Sequence, residues 1–67
     1  MPNAFEAAVA AVISGYRASH AGQRDPTGID DKVAAARAAG YKHPDIFNEA
    51  SRRWGQELID HADRNGR

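Results

Sequence analysis

The apolar positions of this chain recur three and four residues apart, and nowhere do they alternate in steps of two. That periodicity predicts helices and no strands. Phe5, Val9, Val12, Ile13 and Tyr16 form one stripe along a first helix over residues 4–20. Asn3, followed three residues later by Glu6, resembles a capping box with asparagine in the cap role. Gly22 is its expected stop, and Gly15, inside the pattern, costs about 1 kcal/mol relative to alanine. The stretch AGQRDPTG over 21–28 is a loop, with Asp25-Pro26 and Thr27-Gly28 as turn pairs. A second helix is expected over 29–39. Asp30 and Asp31 suit the positive end of its dipole, Ile29, Val33 and Ala36 face inward, and Gly40 ends it. A third helix is expected over 44–64. Pro44 takes the first helical position, and Ile46, Phe47, Ala50, Trp54, Leu58, Ile59 and Ala62 form its inner stripe. Gly55 permits close approach of a neighbour or marks a bend, and Asn65-Gly66 is the stop. The expected fold class is all-α: one small three-helix domain over 1–67 with short connections.

Size narrows the function. A chain of 67 residues buries only about 60% of the surface its unfolded form exposes. It has little room for an enclosed pocket of roughly 300 Å³ or more. The charge balance narrows it further. Nine basic residues meet nine acidic ones, and the balance holds locally, with Arg17 and Arg24 against Glu6 and Asp25 in residues 1–28. Nucleic-acid affinity comes largely from Lys and Arg neutralising phosphates, so a neutral chain without a basic block is a poor starting point for that class. With no cysteine, disulfides, thiolate metal sites and thiol nucleophiles are excluded together. No positive charge precedes the first apolar run, as a signal peptide requires. The ten uncharged residues from Ala7 to Tyr16 fall short of the roughly 20 that span a bilayer. A cytoplasmic protein with no membrane partner is the expectation.

The stretch RAAGYKHPDIFNEASRRWG, from Arg37 to Gly55, has the layout of a helix-turn-helix. Gly40-Tyr41 is a Gly-aromatic turn, Phe47 follows seven residues after the glycine, and Arg53-Trp54-Gly55 is a basic-aromatic-Gly ending. On these residues the segment Val33–Gly55 resembles the helix-turn-helix units of arabinose-regulator-type (AraC-like) transcription activators. Its turn is also similar to the Ala-Gly-Tyr turn of some phage terminase small subunits. The resemblance implies a recognition helix whose outward residues include Asp45, Asn48, Glu49, Arg52 and Arg53. Lys42, Asn48, Arg52 and Arg53 are then the duplex-DNA contacts, suited to phosphates or base edges, while Asp45 and Glu49 repel phosphate. Two departures stand out: Ser51 occupies a position where the activators place a core aromatic, and the chain has room for one such unit where they use two. The alternative is that Gly40-Tyr41-Lys42-His43-Pro44 is an economical corner between packed helices.

The first helix is apolar nearly all round. Beyond its stripe, the other faces carry Ala4, Ala7, Ala8, Ala10 and Ala11. Such a helix is usually covered on more than one side, and two other helices are expected to cover one. Ala7, Ala8 and Ala11 are therefore candidates for a face that meets a protein partner or a second copy. The alternative is that alanine, the best helix former, simply fills exposed positions. Arg52, Arg53 and Trp54 are the second protein-binding candidate, since Arg and Trp are enriched where interfaces are strongest. Trp54 as a core anchor is the alternative.

Nothing in the chain assembles a catalytic set. His20, His43 and His61 are far apart, and none pairs with a His or Glu in a metal-binding helical motif. His43 is read as a helix-start residue, and His61, between Asp60 and Asp63, as a cation near a helix end. Ser14, Ser19 and Ser51 lack a nucleophile's setting, and Ser51 is read as a small packing residue. Asp30 and Asp31 point about 100° apart on a helix, so they serve the helix start and not a paired-carboxylate site. No catalytic residue, metal site or cofactor is expected. The reading is a non-enzymatic helical module that regulates, adapts or inhibits by docking on a protein. The alternatives are a helix-turn-helix DNA binder and a homo-oligomeric structural module held by its first helix.

Overall fold

The computed structural model describes residues 3–65, with the side chain of residue 65 outside the description. Three helices appear where the periodicity places them: α1 (Ala4–His20), α2 (Ile29–Ala38) and α3 (His43–Asn65). The fold is all-α, with no strand among the described residues. α2 ends one residue early, and α3 starts one residue before Pro44. The Gly66 half of the expected stop lies outside the described residues.

The helix ends follow from local chemistry. Asn3 accepts a hydrogen bond from the Glu6 backbone N–H at 2.8 Å, which satisfies one of the open donors of the first turn. α1 ends when Gly22 turns left-handed (φ 72°). The Gln23 N–H then donates to the Ala18 carbonyl at 2.8 Å, and the Gly22 N–H to that of Ser19, the paired bonds of a Schellman cap. α2 ends in the same way. Gly40 (φ 104°) lets the Tyr41 N–H donate to Ala36 and its own N–H to Arg37. The Gly-aromatic turn is thus a helix cap first, whatever else it does.

The core gathers Ala8, Val9, Val12, Val33, Ala36, Ile46 and Ala50, with Phe5, Ile13, Tyr16, Ile29 and Phe47 packed around it. α1 is the centre: it packs extensively against both other helices, whereas α2 and α3 barely touch each other. The two partners therefore lie on different sides of α1, and its alanine-rich face is largely spent inside the protein. Ala8, expected on a partner face, is fully buried, and Ala7 and Ala11 are half-buried. The expectation that α2 and α3 cover one face of α1 is corrected by their placement on two. Gly15 has a packing reason, since a Cβ there would sit 2.9 Å from the Ile29 Cδ1. Gly55 has none, because a Cβ there would meet open space within 4 Å. Close approach of a neighbour inside the chain is therefore not its role.

α3 outgrows its supports. Its 23 residues span about 34 Å at 1.5 Å each, and the molecule is elongated, 44 × 23 × 22 Å. Ile46 and Ala50 are buried, but the stripe expected to continue inward through Trp54, Leu58, Ile59 and Ala62 does not. Trp54 is half-buried, Leu58 is 36% and Ile59 57% exposed, and Ala62 is exposed. α1 and α2, of 17 and 10 residues, cover only the first half of α3.

Candidate functional site

Where α3 leaves the core, it forms an open groove with the end of α1. The groove has a volume of about 400 Å³ and is lined by Arg17, His20, Trp54, Glu57, Leu58 and others on the same faces. Trp54 meets His20 edge-on, with ring centroids 5.7 Å apart. It lies outside the buried cluster, so the alternative that made it a core anchor does not hold. Arg17 closes one wall by donating to the Glu57 carboxylate at 2.6 Å. The other Glu57 oxygen, Oε2, is turned inward with no hydrogen-bond partner among the described residues, although the side chain as a whole is 44% exposed. A partner's N–H or O–H donor would suit it, since an unpaired buried acceptor carries a desolvation cost.

A second cluster runs along the opposite flank of α3. Arg53 grips the Glu6 carboxylate with both terminal nitrogens, at 2.8 and 3.0 Å, and donates its Nε–H to Glu49. Arg52 grips the same Glu49 carboxylate in a bidentate pair, at 3.0 and 2.6 Å. The chain Glu6–Arg53–Glu49–Arg52 ties α1 to α3. Hydrogen bonds from Arg52 and then Arg53 hold the Glu49 carboxyl down at about 2. The bond from Arg53 lowers that of Glu6 as well. The Arg53 guanidinium is raised, through Glu6 first and Glu49 second. Both arginines named for binding are thus engaged within the chain, and Arg53 can reach a phosphate only by releasing two carboxylates. The signal was in the sequence: Glu49 stands three and four residues before the two arginines, the spacing of helical ion pairs.

This network makes stability acid-sensitive. Glu6 and Glu49 sit below their ordinary 4.5, so their stabilisation is complete above that value and is lost as pH falls towards about 2. Thermal melts at pH 7, 4.5, 3 and 2 are expected to show Tm falling mainly over the last three points, less steeply in the double variant Glu6→Gln, Glu49→Gln. An equal acid response in that variant would assign the loss to other carboxylates.

The turn between α2 and α3 carries a third group. Arg37, Tyr41, Lys42 and His43 line an open corner at the start of α3, with no ion pair or hydrogen bond found for the Arg37 or Lys42 side chain among the described residues. Tyr41 is 39% exposed, and its ring rests 5.1 Å from that of Phe5. His43 opens α3 and stacks on Phe47 at 4.5 Å. Asn48 is exposed one turn further along. Ser51 is also exposed, with its hydroxyl 3.3 Å from that of Tyr16, so it is not a packing residue.

Among the described residues, no three His, Asp or Glu side chains converge as a metal site, and no helix is long and apolar enough to cross a membrane. Comparison with family models, curated proteins and solved structures finds no match for this chain.

Proposed function

We propose that this chain is a non-enzymatic helical binding module of the cytoplasm, which regulates, adapts or inhibits by docking on a protein partner. The observation that carries the reading is the overhanging half of α3, where Leu58, Ile59 and Ala62 are exposed beside a half-buried Trp54. Side chains of this kind at helical spacing form the apolar face of a helix that lies against another helix or in a groove. Leu58 and Ile59 point about 100° apart on α3, with Ala62 between them, so together they give the broad exposed apolar face that an interaction site requires. The alanines of α1 contribute little, since Ala8 is spent in the core.

The test is differential capture from native lysate with wild type, Ile59→Glu and Ala10→Glu as baits. Ala10 is exposed on α1, away from the groove. A protein retained by wild type and by Ala10→Glu, but lost at least tenfold by Ile59→Glu, supports the reading. Equal retention by all three baits, or none by any, counts against it.

The second reading, duplex DNA, keeps one specific observation: Arg37 and Lys42, with no ion pair found among the described residues, stand beside exposed Tyr41 at the helix-turn-helix corner. That replaces Arg53 by Arg37 among the expected phosphate contacts and keeps Lys42, Asn48 and Arg52. Affinity for duplex DNA falling steeply with salt, and falling again in the Arg37→Ala, Lys42→Ala double variant, would favour it.

A further inference from the structure

We infer that the apolar face of the overhanging half of α3 pairs with the same face of a second copy of this chain, antiparallel, with Arg52 of each copy opposite Asp63 of the other. This rests on the docking reading of that face and names its occupant. Ser51, Gly55, Leu58 and Ala62 recur at steps of four, three and four, the spacing of a helix-helix seam. Ile59 widens the seam on one side. Gly55 and Ala62 hold it low, and open space lies above the Gly55 Cα, so a second backbone can come close while Leu58 and Ile59 interlock across the axis.

The occupant and its direction follow from charge. At about 100° per residue, Arg52 and Asp63 fall within about 20° of one another, on the Ile59 flank of the seam. Both are exposed, the Arg52 side chain by 67% even while it holds Glu49. In an antiparallel pair like flanks meet with their ends exchanged. Arg52 of one copy then faces Asp63 of the other, and the two-fold axis repeats the contact. A parallel pair would instead set that flank against Trp54 and His61, where Arg52 lies beside the Trp54 ring and not beside a carboxylate. Zero net charge leaves no overall repulsion between copies. About four turns of helix make a small interface, at the low end of what holds two proteins together, so the association is reversible and concentration-dependent.

The experiment is sedimentation velocity of the whole chain from about 5 µM to 1 mM, with circular dichroism confirming that each variant is folded. Wild type is expected to move from 7.2 kDa towards twice that mass, and Ile59→Glu to remain a monomer with an unchanged helical signal. Arg52→Asp and Asp63→Arg should each associate at least tenfold more weakly than wild type. Mixed together they should recover, because both cross-contacts of the mixed dimer are then opposite in charge. A wild type that is monomeric at every concentration overturns the self-pairing, and the docking reading then stands or falls on its own capture test. Dimers that survive Ile59→Glu, or variants that show no preference for each other when mixed, overturn it as well.

Discussion

Ala8→Glu is expected to unfold the chain at 25 °C, with loss of the helical circular dichroism signal and of any cooperative melt. Ala8 is fully buried in the cluster that holds Val9, Val12 and Ile46. A carboxylate placed there has no partner, and an uncompensated buried charge costs about 3–5 kcal/mol. Protonation lets the group escape part of that, but it remains a buried polar group in a space made for a methyl, and overpacking costs about 1–3 kcal/mol more. The 67 residues supply in total about 3–10 kcal/mol of stability, at roughly 0.05–0.15 kcal/mol each. Ala10→Glu, two residues along the same helix but exposed, is the matched control and should melt like wild type. Had the alanine face of α1 served a partner, Ala8→Glu would give a folded monomer. A folded Ala8→Glu with the wild-type signal would therefore return Ala8 to the surface and redraw the core.

The contrast between Ala8 and Ala10 shows where the sequence could be read and where it could not. Helix number, order and ends were legible because their causes are local: Asn3 caps the residues beside it, and Gly22 and Gly40 turn left-handed whatever packs around them. The inward faces of α1 and α2 were legible for a similar reason, since Val9 and Val12, and Val33 and Ala36, are three residues apart on one stripe of their own helix. The sides of α1 on which α2 and α3 rest are a three-dimensional fact. No periodicity distinguishes two helices sharing one face of α1 from two helices gripping it from different sides, and only the second arrangement covers α1 widely enough to half-bury Ala7 and Ala11 beside the buried Ala8.

The candidate site was half legible for the same reason. Trp54 and its neighbours stood out, but the α3 stripe keeps its helical period through Ala62, and period alone does not report where cover ends. A comparison of lengths does: a central helix of 17 residues and a second one of 10 cannot cover the full length of one with 23. The arginines were partly legible. Glu49 on their own helix binds both Arg52 and Arg53, and Glu6, 47 residues from Arg53, completes the set. The near half of that network was visible as a three- and four-residue spacing. The far half depended on the fold.

Ile46→Ala and Ile59→Ala place the boundary between core and overhang on a single helix. The two residues share a side chain and an element, and differ in cover: Ile46 is fully buried, Ile59 57% exposed. Truncating a buried isoleucine removes its transfer free energy and leaves a cavity, together about 2–5 kcal/mol. In a domain of this size that lowers Tm by roughly 10 °C or more. Truncating an exposed one removes little burial, and alanine is the better helix former, so its effect is expected within about 0.5 kcal/mol. Thermal melts at low micromolar concentration, where copies are apart, give the contrast directly. Raising the concentration should then cost Ile59→Ala some of the added stability that pairing confers on wild type, because ligation of the folded state by a second copy raises Tm by mass action. Equal losses at low concentration would mean that the distal half of α3 is packed within the monomer, which removes the face on which docking and self-pairing both depend.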